Sequence, residues 1–396
     1  MDILIADDLL ETRLLLKSII RKLGHNVTTT EDGVEAWEAL KANPGISLII
    51  TDWEMPNMTG IELCKKIRNS ELGRYVYIIL LTAKNEKQEL VEGMEAGADD
   101  FISKPFNNQE LNVRIRAGER IIRLQADLEE KNHKLLKYNE RLEKDLKAAA
   151  ELQKSLLPKE KLEIFDLSFD SIFVPSLFVA GDIFNYFQLD EDNVGFYLLD
   201  VSGHGVSSAM LSFTLSKFLD ANQGDTRGVL KTWSEDETRF TNTPANLVLS
   251  RLNKLFEMGF EVMQYFTMVY GKYNRKTREM ELSLGGHPPV IIQRAGGNAE
   301  VIDLSSIPIG MFDNSEYENG TVTLKPGDRV FVYSDGFCEC FDTGDGKVTE
   351  KMTIWIEENG SLAGEELNGS IREKMRGYYE NNPEADDISL FIITVN

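Results

Sequence analysis

Leu48-Ile49-Ile50-Thr51-Asp52-Trp53-Glu54-Met55-Pro56-Asn57-Met58-Thr59-Gly60 runs from an apolar stretch into an aspartate and then into a polar, turn-forming segment. A short run of branched aliphatics bounded by turn formers reads as a buried strand, with the aspartate at its carboxyl end. Outward from it, Ile3-Leu4-Ile5 and Ile78-Ile79-Leu80-Leu81 repeat the pattern, and amphipathic stretches from Leu9 to Leu23 and from Ile61 to Ile67 lie between them. Such alternation from Met1 to about Phe106 predicts an α/β, doubly wound parallel sheet, whose ligand site lies where the strands end. Acidic residues stand at those ends: Asp7 and Asp8 after the first strand and Asp52 after the third.

Transferring a phosphoryl group to a carboxylate requires neutralising its oxygens, which Mg²⁺, a lysine and hydroxyl or amide donors accomplish. Asp7 and Asp8 are candidate Mg²⁺ ligands, Asp52 a candidate ligand and acceptor, Thr82 a hydroxyl at a strand end, and Lys104 the cation. Each alone has an ordinary reading as a helix cap or a surface charge. Together, Asp7-Asp8, the run Asp52 to Gly60, Thr82-Ala83, Ala96-Gly97-Ala98 and Lys104-Pro105-Phe106 make this segment resemble the response-regulator receiver family along its whole length. That resemblance implies a flavodoxin-like fold and phosphorylation of Asp52 by a sensor histidine kinase. It implies Mg²⁺ held by Asp8, Asp52 and the Glu54 carbonyl, with Asp7 acting through water, and a switch made of Thr82, Phe101 and Lys104.

The chain has 396 residues, 42% hydrophobic, enough for two cores and a connector. A formal charge of -22 without any basic run repels a phosphate backbone, so nucleic acid is not expected as a partner, nor is a DNA-binding output. Three cysteines, Cys64, Cys338 and Cys340, point to a reducing cytoplasm, and the last two read as packing residues. No apolar run approaches the ~20 residues of a membrane helix, so a soluble, unprocessed, cytoplasmic protein is expected.

Between Asn107 and Leu157 the only glycine is Gly118 and there is no proline, while charges of both signs are dense, as in a long exposed helix ended by Pro158. Steps of seven align Ile121, Leu128, Leu135, Leu142 and Ala149, and a companion line reads Leu124, Lys131, Tyr138, Asp145 and Leu152. One line is sound and the other imperfect. The two readings are a solvated spacer and a coiled coil that makes the protein a homodimer. The expected domains are 1–120, 121–157 as helical linker, and 158–396.

After Pro158 strand-like runs appear at Leu167 to Val174, Val194 to Val201, Phe266 to Tyr270, Met280 to Leu284, Arg329 to Tyr333 and Ile388 to Val395. Helical stretches near Ser208 to Leu219 and Ala245 to Phe256 fall among them, which predicts an α+β sandwich flanked by helices. Aspartates recur beside glycine or each other: Ala180-Gly181-Asp182, Asp200-Val201-Ser202-Gly203-His204-Gly205, Ser334-Asp335-Gly336 and Asp386-Asp387-Ile388-Ser389. Singly these are turn pairs; jointly they supply the hard oxygens that a two-metal hydrolytic site draws from remote segments.

With Glu151 to Pro158, Gly285-Gly286-His287-Pro288-Pro289, Pro308-Ile309-Gly310 and Lys325-Pro326-Gly327-Asp328, residues 149–396 resemble the PPM, or PP2C-like, serine/threonine phosphatases. The resemblance is to their bacterial SpoIIE/RsbU-type branch, which dephosphorylates anti-anti-sigma factors. It implies two Mn²⁺ or Mg²⁺ ions held by Asp182, Asp200, the Val201 carbonyl, Asp335 and Asp386. His204 and Asp387 are catalytic candidates, His204 either as an acid to the leaving oxygen or as part of a glycine turn; His287 reads as structural. Ala180, Asn185 and Ser389 stand where the branch usually has glycine, an acid and threonine.

Phosphorylation of Asp52 is thus expected to act through the linker on a phosphatase whose substrate is a phosphorylated anti-anti-sigma factor, with the helix around Gln153 bearing on the Asp182 loop. The rival reading is a non-catalytic adaptor whose PP2C-like domain binds a sigma factor or its regulator. Retention of Asp182, Asp200, Asp335 and Asp386 favours the enzyme.

Overall fold

In a computed structural model of the chain, the described residues are 1–396 except 71, 84–86, 204, 221–227, 234–239, 260–263, 305 and 383–384. They form two compact units, Met1–Arg141 and Leu142–Asn396, with one long helix running through the division. Among the described residues no helix is long and apolar enough to cross a membrane.

The first unit alternates β1 (Asp2–Ala6), α1 (Leu10–Lys22), β2 (Asn26–Thr30), α2 (Gly33–Ala42), β3 (Ile46–Asp52), α3 (Gly60–Arg68), β4 (Tyr77–Thr82), α4 (Lys87–Glu95) and β5 (Asp100–Ser103). The strands pair in parallel in the order β2-β1-β3-β4-β5, the doubly wound sheet expected from sequence. Side chains alternate across a strand, so both faces of a covered sheet must be apolar. Ile3, Ile5, Ile50 and Ile79 fill the core on one face, and Leu4, Ile49, Ile78 and Leu80 the core on the other. The order reverses between β1 and β3, so Asp7 and Asp52 emerge side by side at the carboxyl edge. Just beyond, Thr59 and Glu62 close a capping box that starts α3 and ends the loop after Asp52.

Helix α5 spans Asn108–Leu156. Its residues 126–145 are exposed on every side, including Leu128, Leu135 and Leu142.

The second unit contains β6 (Lys161–Ile164), β7 (Leu167–Val174), β8 (Ile183–Gln188), β9 (Asn193–Val201), α6 (Val206–Phe218), β10 (Lys231–Trp233), β11 (Phe240–Asn242), α7 (Ala245–Gly259), β12 (Phe266–Asn274) and β13 (Glu279–Gly285). It continues with β14 (Val290–Gln293), β15 (Ala299–Ile302), β16 (Gly320–Thr323), β17 (Arg329–Tyr333), α8 (Asp335–Glu339), α9 (Val348–Glu358), α10 (Glu365–Tyr379) and β18 (Ile388–Val395). Two antiparallel sheets, β16-β13-β12-β9-β8 and β15-β14-β17-β18-β7-β6, face each other across a core that includes Phe169, Phe184, Phe196 and Phe391. Helices α6 and α7 cover the outer face of the first sheet and α8 to α10 that of the second, which gives the expected sandwich flanked by helices. The strands read from sequence are present; β2, β6, β8, β10, β11 and β14 to β16 were not read, nor were α2, α4 and α8 to α10.

Candidate functional site

Two groups of carboxylates lie at strand ends, one in each unit. In the first, ligand oxygens of Asp7, Asp8 and Asp52 lie within 4.8 Å of one another. Asp7 is fully buried and Asp8 exposed. Lys104 Nζ sits 2.9 Å from Asp7 Oδ2 and 2.9 Å from Asp52 Oδ1, and the Trp53 N–H donates to Asp52 Oδ1 at 3.0 Å. Burial raises the Asp52 pKa against the pull of Lys104. For Lys104, burial acts downward but hydrogen bonds to Asp52 and Asp7 outweigh it, and its pKa rises. Arg13 braces the loop by donating to the Asp7 and Asp8 carbonyls at 2.8 and 2.9 Å. Thr82 ends β4 and is buried; Phe101 is half-buried, with the Arg114 guanidinium 5.9 Å from its ring centre. Glu54 is exposed in the loop after β3, and the Lys104–Pro105 peptide is cis.

The second group is assembled from both sheets of the sandwich. Ile183 pairs with Leu199 in the β8–β9 hairpin, and that register sets Asp182 across from Asp200 at the hairpin's open end. In the other sheet Tyr333 pairs with Leu390, and the Ser334 N–H donates to the Ser389 carbonyl at 2.9 Å, so Asp335 and the Asp386-Asp387 pair come to the same end. Asp182 is buried, Asp200 half-buried, and Asp335 and Asp386 are exposed at the mouth. Burial, then the charge of Asp200, pushes the Asp182 carboxyl well above its ordinary range. Burial and the charges of Asp335, Asp386 and Asp387 lift Asp200 to about 8. Crowding by surrounding protein and the Asp386 charge also raise Asp335. These acids act on one another, yet among the described residues the receiver trio is the only group of three whose ligand atoms all fall within 4.8 Å.

Glycine is needed beside two of the acids. A Cβ on Gly181 would lie 2.9 Å from the Val201 carbonyl oxygen, and one on Gly336 only 2.2 Å from the Asp387 carbonyl oxygen, so neither close approach tolerates a side chain.

The Asp387 side chain is fully engaged: it accepts from the Ser176 N–H at 2.7 Å, the Ser176 hydroxyl at 2.8 Å and the Gly181 N–H at 2.7 Å. A carboxylate holding three donors is a brace for the loop before Asp182, a task that local sequence did not signal. Asp182 Oδ2 and the Ser389 hydroxyl are buried with no hydrogen-bond partner. Hard oxygen donors, raised pKa values and an unpaired buried carboxylate oxygen together fit a divalent cation, which would supply the missing partner. Asn185 Oδ1 accepts from the Tyr186 N–H at 2.9 Å. His204 lies outside the described residues. His287 is buried, its Nδ1 3.0 Å from the Pro288 carbonyl and its Nε2 unpartnered, and burial pushes its pKa down to about 4.

Comparisons with known proteins match the two units separately. The family model for the response regulator receiver domain matches residues 3–116, and that for stage II sporulation protein E (SpoIIE) matches residues 190–396, just over half the chain. Chemotaxis protein CheY1 of Helicobacter pylori (strain ATCC 700392 / 26695) is 38% identical over 116 residues, 29% of this chain and 94% of CheY1. Phosphoserine phosphatase RsbP of Bacillus subtilis (strain 168) is 27% identical over 193 residues, 49% of this chain but 45% of RsbP. The SiaA-PP2C domain of Pseudomonas aeruginosa superposes with a TM-score of 0.52 at 18% identity, covering 65% of this chain and 99% of that domain, a likeness of fold.

Proposed function

The chain belongs to the SpoIIE family, with a response-regulator receiver domain ahead of its PP2C-type phosphatase domain, and from that premise we propose that phosphorylation of Asp52 controls a metal-dependent protein serine/threonine phosphatase. A receiver requires a phosphodonor, here a sensor histidine kinase; the phosphatase requires a phosphoprotein, here an anti-anti-sigma factor in a partner-switching pathway. The domains take the spans 1–120, 121–157 and 158–396. The linker carries a homodimer, because the Ile121-Leu128-Leu135-Leu142 line otherwise stays in water.

The observation that carries the reading is the second acidic cluster: carboxylates from both sheets at one end of the sandwich, with raised pKa values and without a basic partner among the described residues. Asp182, Asp200, the Val201 carbonyl, Asp335 and Asp386 would hold two Mn²⁺ or Mg²⁺ ions. Bound there, the ions would polarise the phosphoryl oxygens and acidify water for in-line attack on phosphorus. No three of these acids have ligand atoms all within 4.8 Å of one another. Asp387 braces the Asp182 loop through the Gly181 N–H. In the receiver, Asp8, Asp52 and the Glu54 carbonyl would hold Mg²⁺, with Asp7 assisting through water, and Lys104 would steady the transferred phosphoryl group. Thr82 and Phe101 then report the added charge.

The same spread of acids is what favours the alternative, a non-catalytic adaptor that binds a sigma factor or its regulator. One experiment separates them. The full chain and Asp200→Ala are incubated with a phosphorylated anti-anti-sigma factor and Mn²⁺, with and without beryllofluoride. Loss of phosphate with the parent alone, at a rate that beryllofluoride changes, is expected. Equal loss in both samples, or none in either, rejects the enzyme; a rate indifferent to beryllofluoride rejects control by the receiver.

A further inference from the structure

In the last turns of α5 the side chains of Glu151, Leu152, Lys154 and Ser155 are exposed, but Gln153 is buried. A buried amide must satisfy both its donor and its acceptor, and Gln153 does so on one residue. Its Nε2 donates to the Ala180 carbonyl at 2.8 Å, and its Oε1 accepts from the Ala180 N–H at 3.0 Å. Ala180 is wholly buried and lies outside any strand, so its peptide groups have no ladder partner, and the glutamine fills that place as a neighbouring strand would.

The next two residues are Gly181 and Asp182. The Gly181 N–H is fixed from the opposite side by Asp387 Oδ2 at 2.7 Å, and the space at its Cα is closed by the Val201 carbonyl oxygen. The backbone leading into Asp182 is therefore held between a side chain from the helix and one from the strand end before β18. One helical turn after Gln153, Leu157 packs against both hydrophobic cores of the unit, so the glutamine's height on the helix is set by packing. A rotation of α5 by one residue, about 100°, carries the amide off Ala180.

We propose that Gln153 is a positioning residue for the metal centre: by clamping both backbone groups of Ala180 it holds the Asp182 carboxylate where a cation binds, so that cation affinity depends on the rotational setting of α5. The inference rests on the metal-dependent reading above. It differs from that reading in assigning the setting of affinity to a group that touches neither metal nor substrate. A brace of this kind changes ligand geometry, and losing one typically costs metal affinity roughly 10- to 100-fold.

The test uses the full chain carrying Asp8→Ala, which removes the receiver's own cation site, with and without Gln153→Met, unbranched and of similar volume. Mn²⁺ binding is followed by the electron paramagnetic resonance of free Mn²⁺, and phosphatase rate is measured across the same titration. Gln153→Met is expected to weaken Mn²⁺ binding at least about tenfold while the rate at saturating Mn²⁺ stays within about threefold. Lys154→Ala, one residue on and exposed, is expected to change neither. Unchanged Mn²⁺ affinity in Gln153→Met, or a lower saturated rate at unchanged affinity, overturns the proposal. Should Gln153→Met lack a cooperative unfolding transition, Gln153→Glu, which keeps an acceptor for the Ala180 N–H but loses the donor, carries the same titration and the same expectation. If the Asp8→Ala parent binds no Mn²⁺, the metal-dependent reading fails and this inference with it.

Discussion

The two acidic sites of this chain are built from the same side chain and resolve its charge in opposite ways. In the receiver, Asp7 and Asp52 share Lys104, 2.9 Å from each, so the protein itself supplies the countercharge. In the sandwich, Asp182, Asp200, Asp335 and Asp386 mainly feel one another, and Asp200 is lifted to about 8. A buried carboxylate without a cation either takes up a proton or waits for a metal. The first site is therefore balanced by the protein's own lysine, whereas the second holds acids that no basic side chain among the described residues neutralises.

The strongest way to break this comparison is to remove the lysine. Lys104→Met leaves buried Asp7 and near-buried Asp52 facing each other unpaired, and is expected to destabilise the metal-free receiver by about 3 kcal/mol in urea unfolding. No loss would mean that the pair is already solvated. The complementary change lies in the sandwich: saturating Mn²⁺, at about a hundred times its dissociation constant, is expected to stabilise that unit by about 2.7 kcal/mol in a calorimetric scan. Asp200→Asn should abolish this gain while raising the stability of the metal-free chain, because it removes a carboxyl that on folding must either take up a proton or stay charged among other acids.

Acid gives a third, smaller effect from a group outside both clusters. His287 is buried with a folded pKa of about 4 against 6.5 in the unfolded chain, so between those values the unfolded state binds the extra proton. Stability is thus complete above 6.5 and falls as the pH drops toward 4, by about 2 kcal/mol at pH 5. His287→Gln should flatten that part of the curve relative to the parent. The smallest effect is expected at Ala180, where the family's usual glycine restores flexibility before Gly181. Ala180→Gly should cost under about 1 kcal/mol and leave the saturated phosphatase rate within about twofold, since the clamp by Gln153 uses backbone atoms alone. A larger change would show that the Ala180 methyl itself packs the site.

Much of the fold was legible in the residues. Strands β7, β17 and β18 begin and end where their apolar runs do, and Asp7, Asp8 and Asp52 could be placed together because a parallel sheet delivers the ends of β1 and β3 to one edge. Such signals are local: periodicity, turn formers and caps act over a few residues and survive in any context. The seam of α5 is also local, but what covers it depends on another surface, so its period identifies the line without its occupant.

What the residues alone determined is the inventory: a sheet that ends in acids, a long helix, a sandwich whose acids stand beside glycines. Tertiary structure decided the division of labour among those acids. Asp386 and Asp387 are adjacent and chemically identical, yet one is exposed at the mouth while the other is buried against Ser176 and Gly181, more than 200 residues away in the chain. Gln153 resembles its polar neighbours on the helix until the loop 27 residues on folds against it. Contacts at that separation depend on how sheets and helices pack around them, and the donors that packing brings to a carboxylate, rather than residue type, determine whether it braces a loop or is left short of a cation.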